Sequence, residues 1–309
     1  MDIRDVLPRD AIPSIDEPAF GATYFGEPDD RVIVVEGRAY PVRVLSYHEI
    51  VNDLLDGRPI AVTWCPICAS AVVYDRTVDD RVLTFGTSGS LADDALVMYD
   101  RETESQWKQP LGRAISGQFE GRSLDVVPAA MLSYGQFREA YPDGTVLQPV
   151  HGWDTAAGQS PSDAYDMTTY DRYDQSEAFG LYAMRGEGPE RTWSRDDIDA
   201  KAVVLGVRNG GEAVGYPVER VRAAGGVVTD SVGGMDIVVV ATDGTAHAFE
   251  DPGYEFEVRE GTVRADGTDW DPATGRSTDG RRLRRVPTRR LYAFAWQDDH
   301  GRDSFYGPT

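Results

Sequence analysis

The sequence contains few cysteines, few lysines and no long hydrophobic run. Its 309 residues include two cysteines, and lysine occurs at two positions, Lys108 and Lys201. The longest apolar runs, such as Ile237–Ala241, have the length of a strand, which excludes a membrane-spanning helix. Residues 1–20 contain acidic residues and prolines but no apolar core of a signal peptide. These absences favour a globular cytoplasmic protein with no membrane partner.

The charge of the chain is strongly negative, and its basic residues are nearly all arginine. The formal net charge is −21 at pH 7. An acidic, lysine-poor surface stays hydrated in concentrated salt, where charge repulsion is heavily screened, so we interpret the chain as a halophilic protein. It offers no basic face that could neutralise phosphates, which excludes nucleic acid as a partner.

Short strands surround the cysteines. Ile60–Trp64 and Ala71–Tyr74 are β-rich segments on either side of them, and Ala95–Tyr99 is a further predicted strand. Between these strands, Gly86–Gly89 has the composition of a turn that could bind an anion through backbone N–H groups. It lacks the spacing of a P-loop or dinucleotide fingerprint, so no nucleotide cofactor is indicated.

Two helices are predicted from capping boxes. Ser46 followed by Glu49 predicts a helix that continues through Leu55 and carries His48 in its first turn. Ser133 followed by Gln136 predicts a second short helix.

Several motifs recur in the same order in the two halves of the chain. Tyr40–Val42 recurs as Tyr216–Val218, and Gly121–Pro128 recurs as Gly280–Pro287. We therefore predict an α+β fold, mostly β, with two tandem copies of one β-rich unit with short helices, joined by a long crossover. The predicted segments are a lead-in (1–30), a first repeat with the cysteines (31–150), a crossover (151–200) and a second repeat without cysteines (201–309).

Cys65 and Cys68 form the central motif, Cys-Pro-Ile-Cys. In thioredoxin-like proteins such a pair opens a helix, whereas here it is followed by a strand-like segment, so a hairpin turn is predicted. Such a turn resembles a metal-binding knuckle that supplies two ligands, and a closed zinc site needs four. The pair could instead carry out thiol redox chemistry, or it could be an inert part of the core.

The remaining metal ligands would come from elsewhere in the chain. His48 and Met98 are the candidates, and Glu49 could complete or orient the shell. Soft sulfur ligands with one imidazole favour copper or zinc. His48 could equally be a helix-surface residue with no function.

Asp100 and Arg101 follow a predicted strand and are candidate catalytic residues presented to a cleft. An alternative is a solvated turn in which Arg101 pairs locally with Glu102 or Glu104.

Four blocks of the sequence together resemble a known family. They are His48–Asp53, Val62–Cys68, Phe85–Gly89 and Met98–Arg101, and they resemble the signature of domain of unknown function 3179, found in bacteria and archaea. Trp64 and Ala69 stand where the pattern has Tyr and Gly. The resemblance implies that His48, Cys65, Cys68 and the Met98–Arg101 turn belong to one site, without naming its ligand.

The sequence thus supports three functions. The first is a metal-binding protein or metalloenzyme that holds copper or zinc with Cys65, Cys68, His48 and Met98. The second is a thiol–disulfide oxidoreductase in which Cys65 attacks and Cys68 resolves. The third is a non-catalytic binding or scaffold module. The expected partner is a small molecule or a metal ion.

Elemental analysis tests the first function. We expect about one copper or zinc per chain in protein purified without chelators, and loss of that metal in Cys65→Ser, because thiolates are the predicted ligands. Metal-free wild-type protein would contradict it.

Overall fold

The computed structural model describes residues 1–150, 165, 170–186, 188–242, 245–259 and 262–307. Strands predominate among them, which confirms the predicted α+β, mostly β, class. The chain divides into two compact units, Met1–Val127 with Met131–Thr192 and Pro128–Ala130 with Trp193–Thr309. The division therefore falls inside the predicted crossover, of which residues 151–164 lie outside the described part. No described helix is long and apolar enough to cross a membrane.

Short strands and short helices build the first unit. Its strands, of which the fourteenth begins at the unit boundary, are β1 (Ile3–Asp5), β2 (Phe20–Gly21), β3 (Arg31–Val35), β4 (Arg38–Pro41), β5 (Ile50–Leu55), β6 (Arg58–Cys65), β7 (Ser70–Asp75), β8 (Thr77–Val78), β9 (Arg81–Val82), β10 (Phe85–Ala92), β11 (Ala95–Asp100), β12 (Gln106–Lys108), β13 (Arg113–Ser116), β14 (Ala130–Ser133) and β15 (Thr145–Leu147). Its helices are α1 (Val42–His48), α2 (Tyr134–Ala140), α3 (Asp171–Gln175) and α4 (Gly180–Arg185).

Most strands of the first unit fall into three groups. One sheet has the order β1-β10-β11-β12-β13 and another has the order β14-β3-β4-β15-β2. The third group is the antiparallel meander β5–β6–β7, in which Ile50 lies opposite Thr63 and Cys65 lies opposite Ser70. Pairing within the meander thus stops at the first cysteine, and the predicted cysteine hairpin is confirmed.

The first predicted helix is wrong in position. Helix α1 begins after Pro41 and ends at His48, so His48 lies in its last turn. Glu49 ends the helix in the left-handed conformation, with φ +58°. Ile50–Leu55, predicted as helix, is strand β5, because its β-branched residues pair with β6 and are buried. The second predicted capping box is confirmed, with Ser133 and Gln136 exchanging hydrogen bonds at the start of α2.

The predicted turn at Gly86–Gly89 is also wrong, since these residues lie within strand β10. The irregularity that the glycines indicated is a shift of register between Thr87 and Leu91. Gly89, at φ +82°, allows the lead-in to pack closely, because a Cβ there would lie 2.0 Å from the carbonyl oxygen of Leu7. The lead-in is therefore part of the first unit.

The second unit is also mostly β. Its strands are β16 (Val203–Asn209), β17 (Glu212–Pro217), β18 (Val227–Val232), β19 (Met235–Thr242), β20 (Thr245–Glu250), β21 (Glu257–Arg259), β22 (Thr262–Ala265), β23 (Thr268–Trp270) and β24 (Thr288–Tyr292). Its helices are α5 (Val218–Ala223) and α6 (Ala293–His300). One apolar cluster packs residues such as Val207, Tyr216 and Val239, and another packs Val240, Phe249 and Trp270.

A buried asparagine fastens the meander to the neighbouring sheet. Asn52 on β5 is 3% exposed, and its side chain donates to the carbonyl oxygen of Phe85 at 2.8 Å and accepts from the Phe85 N–H at 2.9 Å. It also donates to Asp16 at 2.7 Å. Both backbone groups of Phe85 depend on this one side chain.

We expect Asn52→Ala to lower the free energy of unfolding by about 3 kcal/mol, since it leaves buried backbone groups without partners. Leu54→Ala on the same strand is the matched control, because Leu54 is 59% exposed; it should change stability by less than about 0.5 kcal/mol. Urea unfolding of both variants measures the difference, and equal effects would contradict the role of Asn52.

Candidate functional site

The two cysteines lie at a buried turn and are not joined by a disulfide. Cys65 ends β6 and is 1% exposed, and Cys68 lies in the following turn and is fully buried. The turn closes at Ala69, whose φ of +48° lies in the left-handed region. A non-glycine residue in this region costs about 1–3 kcal/mol, and such strain is frequent at functional sites.

The sulfur of Cys65 is surrounded by hydrogen-bond donors. The backbone N–H of Leu96 on β11 lies 3.4 Å from it, and the side chain and N–H of Cys68 and the N–H of Ile67 also donate. Burial raises the pKa of the Cys65 thiol, but these donors outweigh burial, and the pKa lies below the ordinary cysteine value. Cys65 is thus a thiol whose surroundings favour the thiolate more than those of an ordinary cysteine do.

Glu49 is the acidic neighbour of this thiolate. Its position at the end of α1 is fixed by the N–H of Glu49, which donates to Leu45, and by its carbonyl oxygen, which accepts from Trp64 at 2.8 Å. Glu49 is 8% exposed. Burial raises its pKa well above the usual range, the charge of Cys65 raises it further, and Arg185 lowers it in part.

The two shifts are consistent with each other. A carboxylate and a thiolate in contact in a buried site repel, so the pair holds one negative charge more readily than two. The donors around the sulfur lower the pKa of Cys65, whereas burial and the charge of Cys65 raise the pKa of Glu49. A neutral carboxylic acid beside a thiolate can donate a proton to a leaving group.

A pocket opens in front of Glu49 and has an empty volume of about 480 Å3, including space open to solvent. Its walls are mostly aliphatic, with side chains from the lead-in, from β10 and β11 and from α4. Examples are Leu7, Ile12, Leu91, Leu96, Leu181 and Met184. Ile67 of the cysteine turn and Leu96, whose N–H binds the sulfur, both line it. The pocket therefore lies next to the cysteine turn, although neither cysteine is among the residues that line it.

Helices α3 and α4 pack against the cysteine turn. The hydroxyl of Tyr173 on α3 donates to the carbonyl oxygen of Ile67 at 2.6 Å and accepts from the N–H of Gly180 at 3.1 Å. This one phenol joins both helices to the cysteine turn. Tyr170, at the N-cap of α3, and Arg185, at the end of α4, line the pocket. Burial raises the pKa of Tyr170, as do Glu49 and Cys65, so its hydroxyl stays protonated.

His48 lies beside the site but faces other partners. Its Nδ1 lies 2.8 Å from the carbonyl oxygen of Pro13 and its Nε2 lies 2.6 Å from the hydroxyl of Tyr165. A carbonyl can only accept, so Nδ1 carries the proton and Nε2 accepts from Tyr165. Burial lowers the pKa of His48, which keeps the ring neutral. In this arrangement both ring nitrogens are already hydrogen-bonded.

The other predicted site residues lie in β11 and its following turn. Met98 is fully buried in the strand, opposite Thr87 and Trp107. Asp100 is also buried and accepts from the indole N–H of Trp107 at 2.9 Å and from the Thr103 N–H at 2.6 Å.

Arg101 binds Asp16 at 2.5 Å and Ser14 at 2.9 Å. Neither Asp100 nor Arg101 lines the pocket beside Glu49. Their contacts organise the turn and fasten it to the lead-in, and the predicted local pairs of Arg101 with Glu102 or Glu104 are not the ones formed.

Within the described part of the chain, no group of three or more His, Cys, Asp or Glu side chains is placed to hold a metal ion. The thiols of Cys65 and Cys68 are together, but His48 is turned toward Pro13 and Tyr165. The arrangement is a dithiol with an adjacent carboxylic acid.

Sequence reasoning missed three residues of this site. Glu49 was predicted only as a capping or supporting residue, while Tyr170 and Arg185 lie in the predicted crossover. The aromatic content of the crossover was the one signal that it packs against a folded unit.

The fold and the site define a protein with two mostly β units and, beside an apolar pocket, two buried cysteines that are not joined by a disulfide. The chain belongs to the family described as Protein of unknown function (DUF3179), whose model matches residues 9–303. The match confirms the resemblance carried by the four sequence blocks. No curated protein and no solved structure matches the chain.

The raised pKa of Glu49 makes a prediction about stability. Above the ordinary glutamate pKa, Glu49 keeps a proton in the folded state that the unfolded chain has released, so wild-type stability should fall relative to Glu49→Gln as pH rises. The expected slope is about 1.4 kcal/mol per pH unit, and it should end once pH passes the folded-state pKa. Cys65 contributes a slope of the opposite sign between its folded-state pKa and the ordinary cysteine pKa, because it is deprotonated first in the folded state.

Urea unfolding measures this difference in the free energy of unfolding between wild type and Glu49→Gln. The measurements run from about pH 4 to about pH 9, at about one per pH unit. Glu120→Gln, at an exposed position in the same unit, is the matched control and should show no such trend. A pH-independent difference for Glu49→Gln would show that Glu49 is ionised in the folded protein.

Proposed function

We propose that the first unit is a thiol–disulfide redox protein in which Cys65 and Cys68 cycle between dithiol and disulfide on a small-molecule substrate. The observation that carries the proposal is the set of donors around the Cys65 sulfur, from Leu96, Ile67 and Cys68. Thiolates are the nucleophiles of thiol–disulfide exchange, and a buried thiol surrounded by apolar groups alone would be inert.

The chemistry requires two exchanges. The thiolate of Cys65 attacks one sulfur of a substrate disulfide, forming a mixed disulfide and releasing the other half as a thiolate that takes a proton from Glu49. Cys68 then loses its proton to Glu49 and attacks the Cys65 sulfur, which releases the second half as a thiolate. One disulfide is reduced to two thiols and one dithiol is oxidised, and a second thiol–disulfide couple reverses the change.

The burial of the pair limits the substrate to a small molecule. Cys65 and Cys68 are each at most 1% exposed, so a disulfide on the surface of another folded protein could not contact them. A small disulfide can enter the pocket lined by Glu49, Ile67 and Leu96. The substrate is therefore expected to be a small molecule rather than a folded protein.

Two serine variants test the roles of the cysteines. We expect 4,4′-dithiodipyridine, a small neutral disulfide, to convert wild-type protein to the Cys65–Cys68 disulfide. In Cys68→Ser the reaction should stop at the mixed disulfide on Cys65, and in Cys65→Ser the buried Cys68 should react at least about tenfold more slowly. Mass spectrometry of the intact chain and its peptides identifies each product.

The pH dependence gives an independent readout of the same proposal. Cys68→Ala removes the S–H donor and should raise the pKa at which Cys65 reacts, so this variant needs higher pH for its first exchange. Two natively unreactive cysteines, with serine substitutions that only lower stability, would show that the pair is packed core. Thr229→Ser, at an exposed position in the second unit, is the control for a substitution away from the site.

Metal binding is the second candidate function, supported by two thiols on one side of a hairpin turn with a carboxyl group beside them. Cys65, Cys68 and Glu49 would supply soft and borderline ligands for copper or zinc. A ligand from His48 would require it to leave Tyr165. The elemental analysis described above separates this function from the redox one.

We also infer that the two units are copies of one ancestral unit. In both, two strands, a short helix after a proline and three further strands follow one another, as β3–β4–α1–β5–β6–β7 and as β16–β17–α5–β18–β19–β20. A Cβ on Gly112 would lie 2.4 Å from the ring of Tyr74, and one on Gly275 would lie 2.5 Å from the ring of Phe249. An experimental structure with different strand orders in the two units would contradict this inference.

A further inference from the structure

The pocket in front of Glu49, next to the cysteine turn, has aliphatic walls and one positively charged residue at its rim. Arg185 is the basic side chain among the described residues that line it. We propose that this pocket selects small apolar disulfides or thiols that bear an anionic group, and that Arg185 binds that group. The inference rests on the proposed thiol function and names its substrate class.

The aliphatic walls favour an apolar substrate body. Leu7, Leu91, Leu96, Leu181 and Met184 come from four separate segments of the first unit and face one space. Such a lining gains by covering apolar ligand surface and offers few partners to a polar body. Small hydrophilic disulfides with several charged groups would leave those groups unpaired against these walls.

Two charged residues line the pocket, and they differ in exposure. Glu49 is buried at the inner end beside Cys65, whereas Arg185 is exposed at the end of α4. The guanidinium of Arg185 can form paired hydrogen bonds with a carboxylate or sulfonate while the substrate sulfur points inward. Glu49 in its protonated form adds no repulsion to an anion.

The negative charge of the chain makes a local cation such as Arg185 important for binding an anion. The chain has a net charge of −21, so its general field repels anions and attracts cations. Selection for an anion therefore needs a local cation near the reaction centre. Tyr173 holds α3 and α4 on the cysteine turn through Ile67 and Gly180, which keeps Arg185 at a fixed place relative to Cys65.

Three small disulfides of different charge test the proposal. They are 5,5′-dithiobis(2-nitrobenzoate), which is an aromatic dianion, 4,4′-dithiodipyridine, which is neutral, and cystamine, which is a dication. We expect Arg185→Gln to slow the reaction of Cys65 with the dianion about tenfold, the loss of one charge-assisted contact, while the rate with the neutral reagent changes less than about twofold. The rate with cystamine should stay equal or rise.

Arg81→Gln is the matched control, because Arg81 is an exposed arginine of the same unit that does not line the pocket. It changes the net charge by the same amount and should leave all three rates unchanged. Arg185→Lys should retain part of the preference for the dianion, since the charge remains without the paired donors.

The outcomes separate the two proposals. Equal slowing of all three reagents by Arg185→Gln, or no slowing, would overturn the role of Arg185 and leave the thiol function standing. Failure of wild-type Cys65 to react with any of the three would overturn the thiol function itself, and the substrate class with it.

Discussion

The site depends on the point at which pairing between β6 and β7 stops. Cys65 is the last paired residue of β6, and the four residues after it form the turn. Pro66 has no N–H, and the N–H groups of Ile67 and Cys68 turn onto the Cys65 sulfur instead of joining the ladder. A buried sulfur anion would be unfavourable without these donors. Leu96 adds a third backbone donor from another sheet, so the fold as a whole stabilises the thiolate.

The charges around the thiolate follow from this arrangement. Burial raises the pKa of Glu49, and a negative sulfur raises it further. Arg185 is close enough to act on Glu49 but lies at the exposed rim. Under the proposed function, a substrate would lie with its sulfur toward the buried cysteines and its anionic group toward Arg185.

Much of this could be predicted from local sequence patterns. The β-rich segments before and after the cysteines predicted the hairpin, and Ser133 with Gln136 predicted the capping box of α2. The same kind of pattern misled at Ser46 and Glu49, because their spacing fits a helix start equally well. The helix begins after Pro41, and Ile50–Leu55 forms backbone hydrogen bonds with β6. A capping motif cannot reveal this pairing.

The rest of the site depends on contacts between residues that are distant in sequence. Tyr173 reaches the carbonyl oxygen of Ile67 across 106 positions, and this bond brings Tyr170 and Arg185 to the cysteines. Local composition could predict that the aromatic crossover packs somewhere, but not against which turn. The hydrogen-bond partners of His48, Pro13 and Tyr165, are also distant in sequence and share no motif with it. The sequence therefore could not reveal these contacts of the His48 ring.

A comparison of the two hairpins shows what the site requires beyond two cysteines. In the second unit, β19 pairs with β20 as far as Thr242 opposite Thr245, so two residues separate the last pair. In the first unit, four residues separate Cys65 from Ser70. A second cysteine three positions after Thr242 would fall at Thr245, which is already paired in β20. A Cys-x-x-Cys turn of this kind therefore depends on the length of the connection as well as on its sequence.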